Sequence, residues 1–185
     1  MIARGSAWAL LTEFTRSESL RKHALAVEAS MRAYAGRHGA DAEIWGMAGM
    51  LHDFDYEMHP AAPRHPVKGA EILMSRGVPP EVVYAILAHA DYSGYPRRSL
   101  LDRTLYACDE LAGFVTACAL VRPGRAIAGL DAGSVRKKLK DKGFARTVNR
   151  DDVYRGALEL RVDLDEHITF VIGALTGVAP ELGLG

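Results

Sequence analysis

The sequence predicts an all-α protein folded as one helical bundle. Apolar residues recur with the i, i+3, i+4, i+7 spacing of a buried helix face, as Ile44, Met47, Ala48 and Leu51 do. No segment alternates apolar and polar residues between turn signals, as a β-strand would. With 185 residues the chain is long enough for one well-buried core, so a single domain over residues 1–185 is expected.

Capping residues and prolines set the predicted helix boundaries in the first half of the chain. Ser17 or Ser19 offers an N-cap for one helix and Asp41 for the next, while Gly39 ends the helix between them. Proline in the first helical turn is favourable, so Pro66 marks the start of another helix. The helices predicted here are 7–14, 20–37, 42–52, 67–75 and 80–89, with a proline-containing loop over 54–64.

The second half begins with the longest predicted helix. Ser99 caps it after a loop over 90–98, and Pro123-Gly124 breaks the chain beyond it. The remaining helices complete the bundle over 131–178. The helices predicted in this half are 100–121, 132–140, 150–160 and 163–175.

Composition excludes several classes of function. Lys plus Arg and Asp plus Glu number 23 each, so no basic field is available to hold a nucleic-acid polymer. The apolar runs are too short for a transmembrane helix, and no signal peptide is apparent. Cys108 and Cys118 lie ten residues apart in an apolar helical stretch, which indicates reduced core residues of a cytoplasmic protein.

Histidines and aspartates at helix ends and in apolar helices are spaced as metal ligands would be. Asp109 follows an apolar stretch, where a buried carboxylate without a proton or cation would cost several kcal/mol. His52 and Asp53 point about 100° apart on a helix, so both reach one ion only where the helix ends. The predicted ligands are His23, His52, Asp53, His65, His89 and Asp109. The metal-ligand core of the domain is expected to extend over about residues 20–121.

Each ligand also has a structural explanation when it is taken alone. Asp109 could pair with a core tyrosine or arginine, and His23 could be a hydrogen-bonded core residue. His65 could be a surface residue at a helix start, and His89 could interact with the helix dipole at a helix end. The ordered set as a whole favours a metal site. His38 and His167 follow no ligand spacing and are expected at the surface.

The order of His23, His52-Asp53 and Asp109 resembles the HD superfamily of metal-dependent phosphohydrolases, over about 20–114. The intervening His65 and His89 resemble its two-metal branch. This resemblance implies the all-α HD fold and hydrolysis of a small phosphate ester, with a nucleotide as the expected substrate. It implies one site made by His23, His52, Asp53 and Asp109, and a second made by His65 and His89 with Asp53 bridging.

Imidazole and carboxylate ligands suit one or two divalent transition-metal ions, namely Mn, Fe, Co, Ni or Zn. Two other functions stay open. The same ligand set loaded with iron resembles oxygenases of the superfamily, and a non-catalytic sensor would bind a nucleotide without turnover. The expected partner is a small phosphorylated substrate, with neither a nucleic-acid polymer nor a membrane, and a homodimer stays open.

Two shorter motifs resemble particular branches of the superfamily. His65-Pro66-Val67-x-Gly69-Ala70 is similar to a motif of symmetrical dinucleoside tetraphosphate hydrolases. Gly94-Tyr95-Pro96 is similar to one in the cyclic-di-GMP phosphodiesterases. The latter branch expects paired histidines and a lysine soon after His-Asp, which this sequence lacks, so that substrate is discounted.

Cations near the ligands are the predicted substrate contacts. Lys68 follows His65 by three residues and would share its helix face, so it joins His52 and Asp53 in the predicted catalytic set. Arg64, Lys68 and Arg97 are the predicted substrate-binding residues, although solvated surface charge is an alternative for each. A basic segment over 136–150 is either a solvated helix face or a cover for an anionic substrate. The groups that could protonate a leaving group are Asp55, Glu57 and His59, and their spacing does not choose among them.

Overall fold

This computed structural model describes residues 3–185 of the chain. These residues contain ten α-helices and two single 3₁₀ turns and no β-strand. The predicted all-α fold class is therefore confirmed. The helices are α1 (Arg4–Phe14), α2 (Glu18–His38), α3 (Ala42–Leu51), α4 (Arg64–Ser75), α5 (Pro80–Ala88), α6 (Leu100–Leu120), α7 (Ala132–Leu139), α8 (Arg150–Leu160), α9 (Leu164–Thr176) and α10 (Ala179–Leu182).

The predicted caps explain several of these boundaries. The Ser99 side chain accepts a hydrogen bond from the Asp102 amide, and Asp102 bonds back to the Ser99 amide, which forms a capping box at the start of α6. Asp41 accepts from the amides of the first turn of α3. Gly39 ends α2 with a φ of 64°, in the left-handed region that glycine enters without strain.

Three features depart from the predicted boundaries. Helix α1 begins at Arg4 rather than at residue 7. The short helix α10 was not predicted. Helix α4 begins at Arg64 rather than at Val67, with a kink at His65, whose ψ of 138° is extended and not helical. The residue before a proline is pushed out of the helical region by the proline ring, and Pro66 follows His65. His65 therefore precedes the continuous part of α4.

Helices α2 and α6 form the centre of the bundle, and glycines let neighbouring helices approach them closely. A Cβ on Gly49 of α3 would lie 2.9 Å from the Glu28 backbone of α2. A Cβ on Gly156 of α8 would lie 2.7 Å from Ala107 Cα of α6. Because Gly49 is one turn before His52, the close α2–α3 contact brings the end of α3 against α2.

His167 lies in the core, which corrects its expected place at the surface. Its Nδ1 accepts a hydrogen bond from the Tyr34 hydroxyl at 2.7 Å, and its Nε2 donates to the Ala107 carbonyl at 3.0 Å. Burial lowers the pKa of His167, so the ring is neutral and can serve as acceptor and donor at once. This relay joins α2, α9 and α6.

Cys108 and Cys118 are both buried and free, as predicted for reduced core residues. Across residues 3–185, no helix combines the length and apolar character needed to cross a membrane.

Candidate metal centre

Five consecutive helices bring the six predicted ligands together. The ends of α3 and α5 and the kinked start of α4 place side chains beside two residues in the interior of longer helices. His23 lies in α2, His52 and Asp53 follow α3, His65 stands at the kink of α4, His89 follows α5, and Asp109 lies in α6. Their ligand atoms form two groups, each within 4.8 Å, that could hold an ion.

The first group gathers around Asp109. His23 Nε2 lies 3.0 Å from Asp109 Oδ1, and His52 Nε2 lies 3.3 Å from the same oxygen. The two imidazole nitrogens are 3.2 Å apart. Asp53 Oδ2 completes the group at 3.4 Å from His52 Nε2 and 3.9 Å from His23 Nε2.

The second group uses the other oxygen of Asp53. His65 Nε2 lies 3.1 Å from Asp53 Oδ1, and His89 Nε2 lies 3.5 Å from it. The nitrogens of His65 and His89 are 3.3 Å apart. Asp53 thus turns one carboxylate oxygen toward each group, which is the arrangement of a bridging ligand.

Six of these eight separations fit a bound transition metal, while those of 3.5 Å and 3.9 Å are longer. Two ligand atoms that each lie about 2.1 Å from one ion, at angles of about 90–109°, are about 3.0–3.4 Å apart. The Nδ1 atoms are also occupied in a way that leaves Nε2 free: His52 donates to the Gly49 carbonyl and His89 to the Ile86 carbonyl. His65 Nδ1 donates instead to the Asp55 carboxylate. Such outer hydrogen bonds orient metal-binding histidines.

The carboxylates favour protons on the imidazoles when no cation is bound. Burial lowers the pKa of His52, but Asp53 and Asp109 outweigh it and raise that pKa well above the usual range. Burial also opposes charge on His65, yet hydrogen bonds to Asp53 and Asp55 raise its pKa to about 9. Burial raises the pKa of Asp53 and of Asp109, and His52 reverses this so that both lie well below the usual range.

A cleft of about 1300 Å³ opens on the ligand groups and extends along α6. From Asp109 to Leu120, both on its wall, α6 rises about 16 Å. Gly113 and Ala117 leave this part of the wall without long side chains. Leu182 of α10 and four residues of the segment before α8 also line the cleft: Ala145, Thr147, Val148 and Asn149.

The predicted substrate contacts Arg64, Lys68 and Arg97 do not line the cleft, and their contact with a substrate stays a prediction. The Lys68 ammonium pairs with Glu71, and the kink at His65 breaks the helical i, i+3 relation on which its prediction depended. The Arg64 side chain is exposed. The Arg97 side chain is 10% exposed and pairs with Glu159 and Asp91.

Three other cations line the cleft, and the sequence did not single them out. Lys22 pairs with Glu18 at 2.7 Å, and Arg155 pairs with both Asp91 and Asp152. Arg125 has no ion pair within residues 3–185. Lys22 precedes His23 directly, so that adjacency was an available signal. Arg155 lies 66 residues after His89, and no local pattern links the two.

The groups considered as proton donors do not line the cleft either. Asp55 is fully buried and both of its oxygens are engaged. Glu57 accepts hydrogen bonds from the amides of Arg16 and Ser17 before α2. In the basic segment 136–150, uncharged residues such as Val148 face the cleft, while Arg150 donates to backbone carbonyls of its own loop.

Tyr56, Tyr92 and Glu110 also lie on the wall near the ligands and were not predicted. Burial, with a smaller contribution from Asp109, raises the pKa of Glu110 to about 8. Burial and then Asp53 raise the pKa of Tyr92 to about 12. Both side chains are therefore uncharged at neutral pH when no cation is bound.

Comparison with known proteins identifies related sequences. The family model of the HD domain matches residues 20–113. Ribonuclease Y of Desulfotalea psychrophila (strain LSv54 / DSM 12343) is 33% identical over 97 residues, which are 52% of this chain and 18% of that protein. The chain therefore spans less than a fifth of the length of this relative. No solved structure matches.

Proposed function

Because the chain belongs to the HD domain family, the superfamily of metal-dependent phosphohydrolases, we propose that it hydrolyses a small organic phosphate ester with two divalent transition-metal ions. His23, His52 and Asp109 would hold the first ion, and His65 and His89 the second. Asp53 would bridge them. A nucleotide is the proposed substrate class.

The position of Asp53 carries this proposal. One of its oxygens lies among His23 and His52, and the other lies 3.1 Å from His65 Nε2. When bound, two such ions would supply a nucleophile at neutral pH and a clamp for a phosphoryl group. The chain itself holds the Nδ1 atoms of His52, His65 and His89 in hydrogen bonds, which leaves the Nε2 atom of each of these three rings free to bind an ion.

The size of the cleft supports a substrate larger than inorganic phosphate. Typical small-molecule sites enclose about 300–1,000 Å³. The cleft here is about 1300 Å³, and an ester with a small leaving group would leave the part along Gly113 and Ala117 empty. Tyr92 near the ligands and Arg125 on the wall offer an aromatic face and a positive charge, the two features that a nucleoside phosphate can use.

The relative is consistent with phosphoester chemistry. It is named a ribonuclease, and the part it shares with this chain includes residues matched by the HD domain. RNA is not the proposed substrate here, because the formal net charge is zero and three cations on the cleft wall are few for a polyanion.

A phosphoesterase panel tests the proposed function. Protein purified anaerobically and loaded separately with Mn, Fe, Co, Ni or Zn is expected to release phosphate from at least one class of nucleotide. The matched control is the Asp109→Asn variant, which keeps the side-chain volume but removes a carboxylate from the first group. Oxygen uptake coupled to turnover without phosphate release would instead indicate an oxygenase. Tight nucleotide binding without product would indicate a sensor.

The variant Ala117→Phe tests how substrates occupy the cleft. A phenyl ring on α6 would fill the space beyond Gly113, so kcat/KM for nucleotides should fall about 10- to 200-fold, as for other steric changes in a binding pocket. Hydrolysis of p-nitrophenyl phosphate should change less than about threefold, because that ester need not extend past the ligands. Steady-state kinetics on both substrates provide the measurement.

The control for this prediction is Ala117→Ser, which adds one oxygen and should leave both reactions near the wild-type rate. Equal losses on the short and long substrates with Ala117→Phe would show that the ring disturbs the ligands and not the cleft. Unchanged nucleotide hydrolysis would show that the substrate lies elsewhere.

A further inference from the structure

The carboxylate of Asp55 has an unusual environment for a residue outside the ligand groups. It is fully buried in the turn that follows His52-Asp53. Its Oδ1 accepts a hydrogen bond from His65 Nδ1 at 2.7 Å, and its Oδ2 accepts one from the Gly69 amide at 2.9 Å. No lysine or arginine pairs with it among residues 3–185. Its hydrogen-bond donors therefore come from α4 alone.

Gly69 is shaped to receive this carboxylate. A Cβ at position 69 would lie 2.5 Å from Asp55 Cγ and 2.6 Å from Oδ2, too close for any real contact. Gly69 also lies in the first turn after the kink at His65, where amides lack partners within the helix. Asp55 thus fixes the His65 ring and the start of α4 at the same time.

His65 differs in this respect from His52 and His89, the other two predicted ligands whose Nδ1 atoms have hydrogen-bond partners. His52 and His89 each donate to a neutral carbonyl three residues earlier in the chain. His65 donates to a carboxylate ten residues away, across a loop. A carboxylate partner increases the basicity of the ring and fixes its orientation more firmly than a carbonyl does. It therefore strengthens His65 as a ligand.

We propose that Asp55 is a positioning residue for the second ion site, and that it sets the affinity of that site while the first site is unaffected. By holding Nδ1, it directs His65 Nε2 to 3.1 Å from Asp53 Oδ1 and 3.3 Å from His89 Nε2. Within residues 3–185, the Asp55 side chain makes no hydrogen bond or ion pair with His23, His52 or Asp109. This inference rests on the two-ion assignment of the proposed function but not on the identity of the substrate.

Calorimetric titration of the full chain with Mn²⁺ or Co²⁺ alone tests the inference. Wild-type protein should bind two ions. Asp55→Asn, which keeps the size of the side chain, should weaken the second ion about 10- to 100-fold and leave the first within about threefold, as expected for an outer hydrogen-bond partner of a ligand. His89→Ala, which removes a ligand of the second group, should show the same pattern and is the matched comparison.

Several outcomes would overturn the assignment of Asp55. Equal weakening of both ions in Asp55→Asn, or a lower Tm with both affinities unchanged, would show a purely structural role. If the wild type binds only one ion, the second site and this inference both fail. Two ions bound without hydrolysis of any ester would refute the proposed function and leave the role of Asp55 intact.

A second variant and one wild-type measurement cover the case in which Asp55→Asn does not fold. Gly69→Ala displaces the carboxylate without removing its charge, and should also weaken the second ion selectively. In the zinc-loaded wild type, nitrogen-15 spectra should show a proton on His65 Nδ1. A deprotonated Nδ1 would contradict the hydrogen bond to Asp55 and overturn the inference.

Discussion

Replacing Asp53 with alanine is expected to remove both ions and to lower kcat/KM by about a thousandfold or more, because the ions contribute several kcal/mol to stabilising the transition state. Its two oxygens serve the two groups separately, at 3.4 Å from His52 Nε2 and 3.1 Å from His65 Nε2. Elemental analysis and hydrolysis of the best substrate on the panel give the two measurements.

Asp109→Ala is the control for this prediction, since Asp109 belongs to the first group alone. That variant should keep one ion per chain where Asp53→Ala keeps none. Two ions per chain in Asp53→Ala would show that its carboxylate is not shared, whatever the activity. A circular dichroism spectrum of each variant establishes that the helices are retained.

The affinity for metal is expected to rise steeply with pH. A metal needs a neutral imidazole, whereas the pKa of about 9 at His65 keeps that ring protonated at pH 7 when no cation is bound. Binding of the second ion displaces this proton, so the affinity for that ion should rise about tenfold per pH unit up to about pH 9. Above that pH the affinity should level off. His52, whose pKa is also raised, would release a second proton.

Calorimetry in two buffers of different ionisation enthalpy counts the protons released at pH 7. An affinity that is constant from pH 7 to 9 would contradict the prediction.

The raised pKa of His65 also determines how the stability of the protein without metal changes with pH. Between its usual pKa and about 9, His65 binds more protons folded than unfolded, so the protein without metal loses stability as pH rises. The gain in Tm on adding metal should therefore widen over this range.

Local chemistry explains which parts of the fold could be predicted. The start of α6 at Leu100 depends on Ser99 and Asp102, which lie within four residues of each other. The four-residue helix α10 is too short to have a periodic pattern, and it forms where it packs against α2. His167 was misplaced although Val171, one turn later on the same helix face, is buried. The surface prediction followed from the polarity of histidine and not from the buried pattern of the neighbouring residues.

The ligand groups could be predicted because their residue types suit a metal and their order along the chain resembles that of the HD superfamily. The cations could not, because their partners are distant in sequence. Arg97 follows His89 closely, yet its position is set by Glu159, 62 residues later. Lys68 was placed by helical spacing from His65, and the extended backbone at His65 removes that spacing. Asp55 was considered for proton transfer, and only the structure shows that its oxygens face His65 and Gly69.

The ligands come from five consecutive helices, and this has a consequence for how the molecule opens. An occupied centre would act as a cross-link between residues 23 and 109, so that α2 to α6 could not separate one at a time without releasing metal. Helices α7 to α10 contribute no ligand. When metal is bound, the amides of α2–α6 should therefore exchange slowly and at similar rates, as one cooperative unit. Those of α7 and α10 should continue to exchange through local opening.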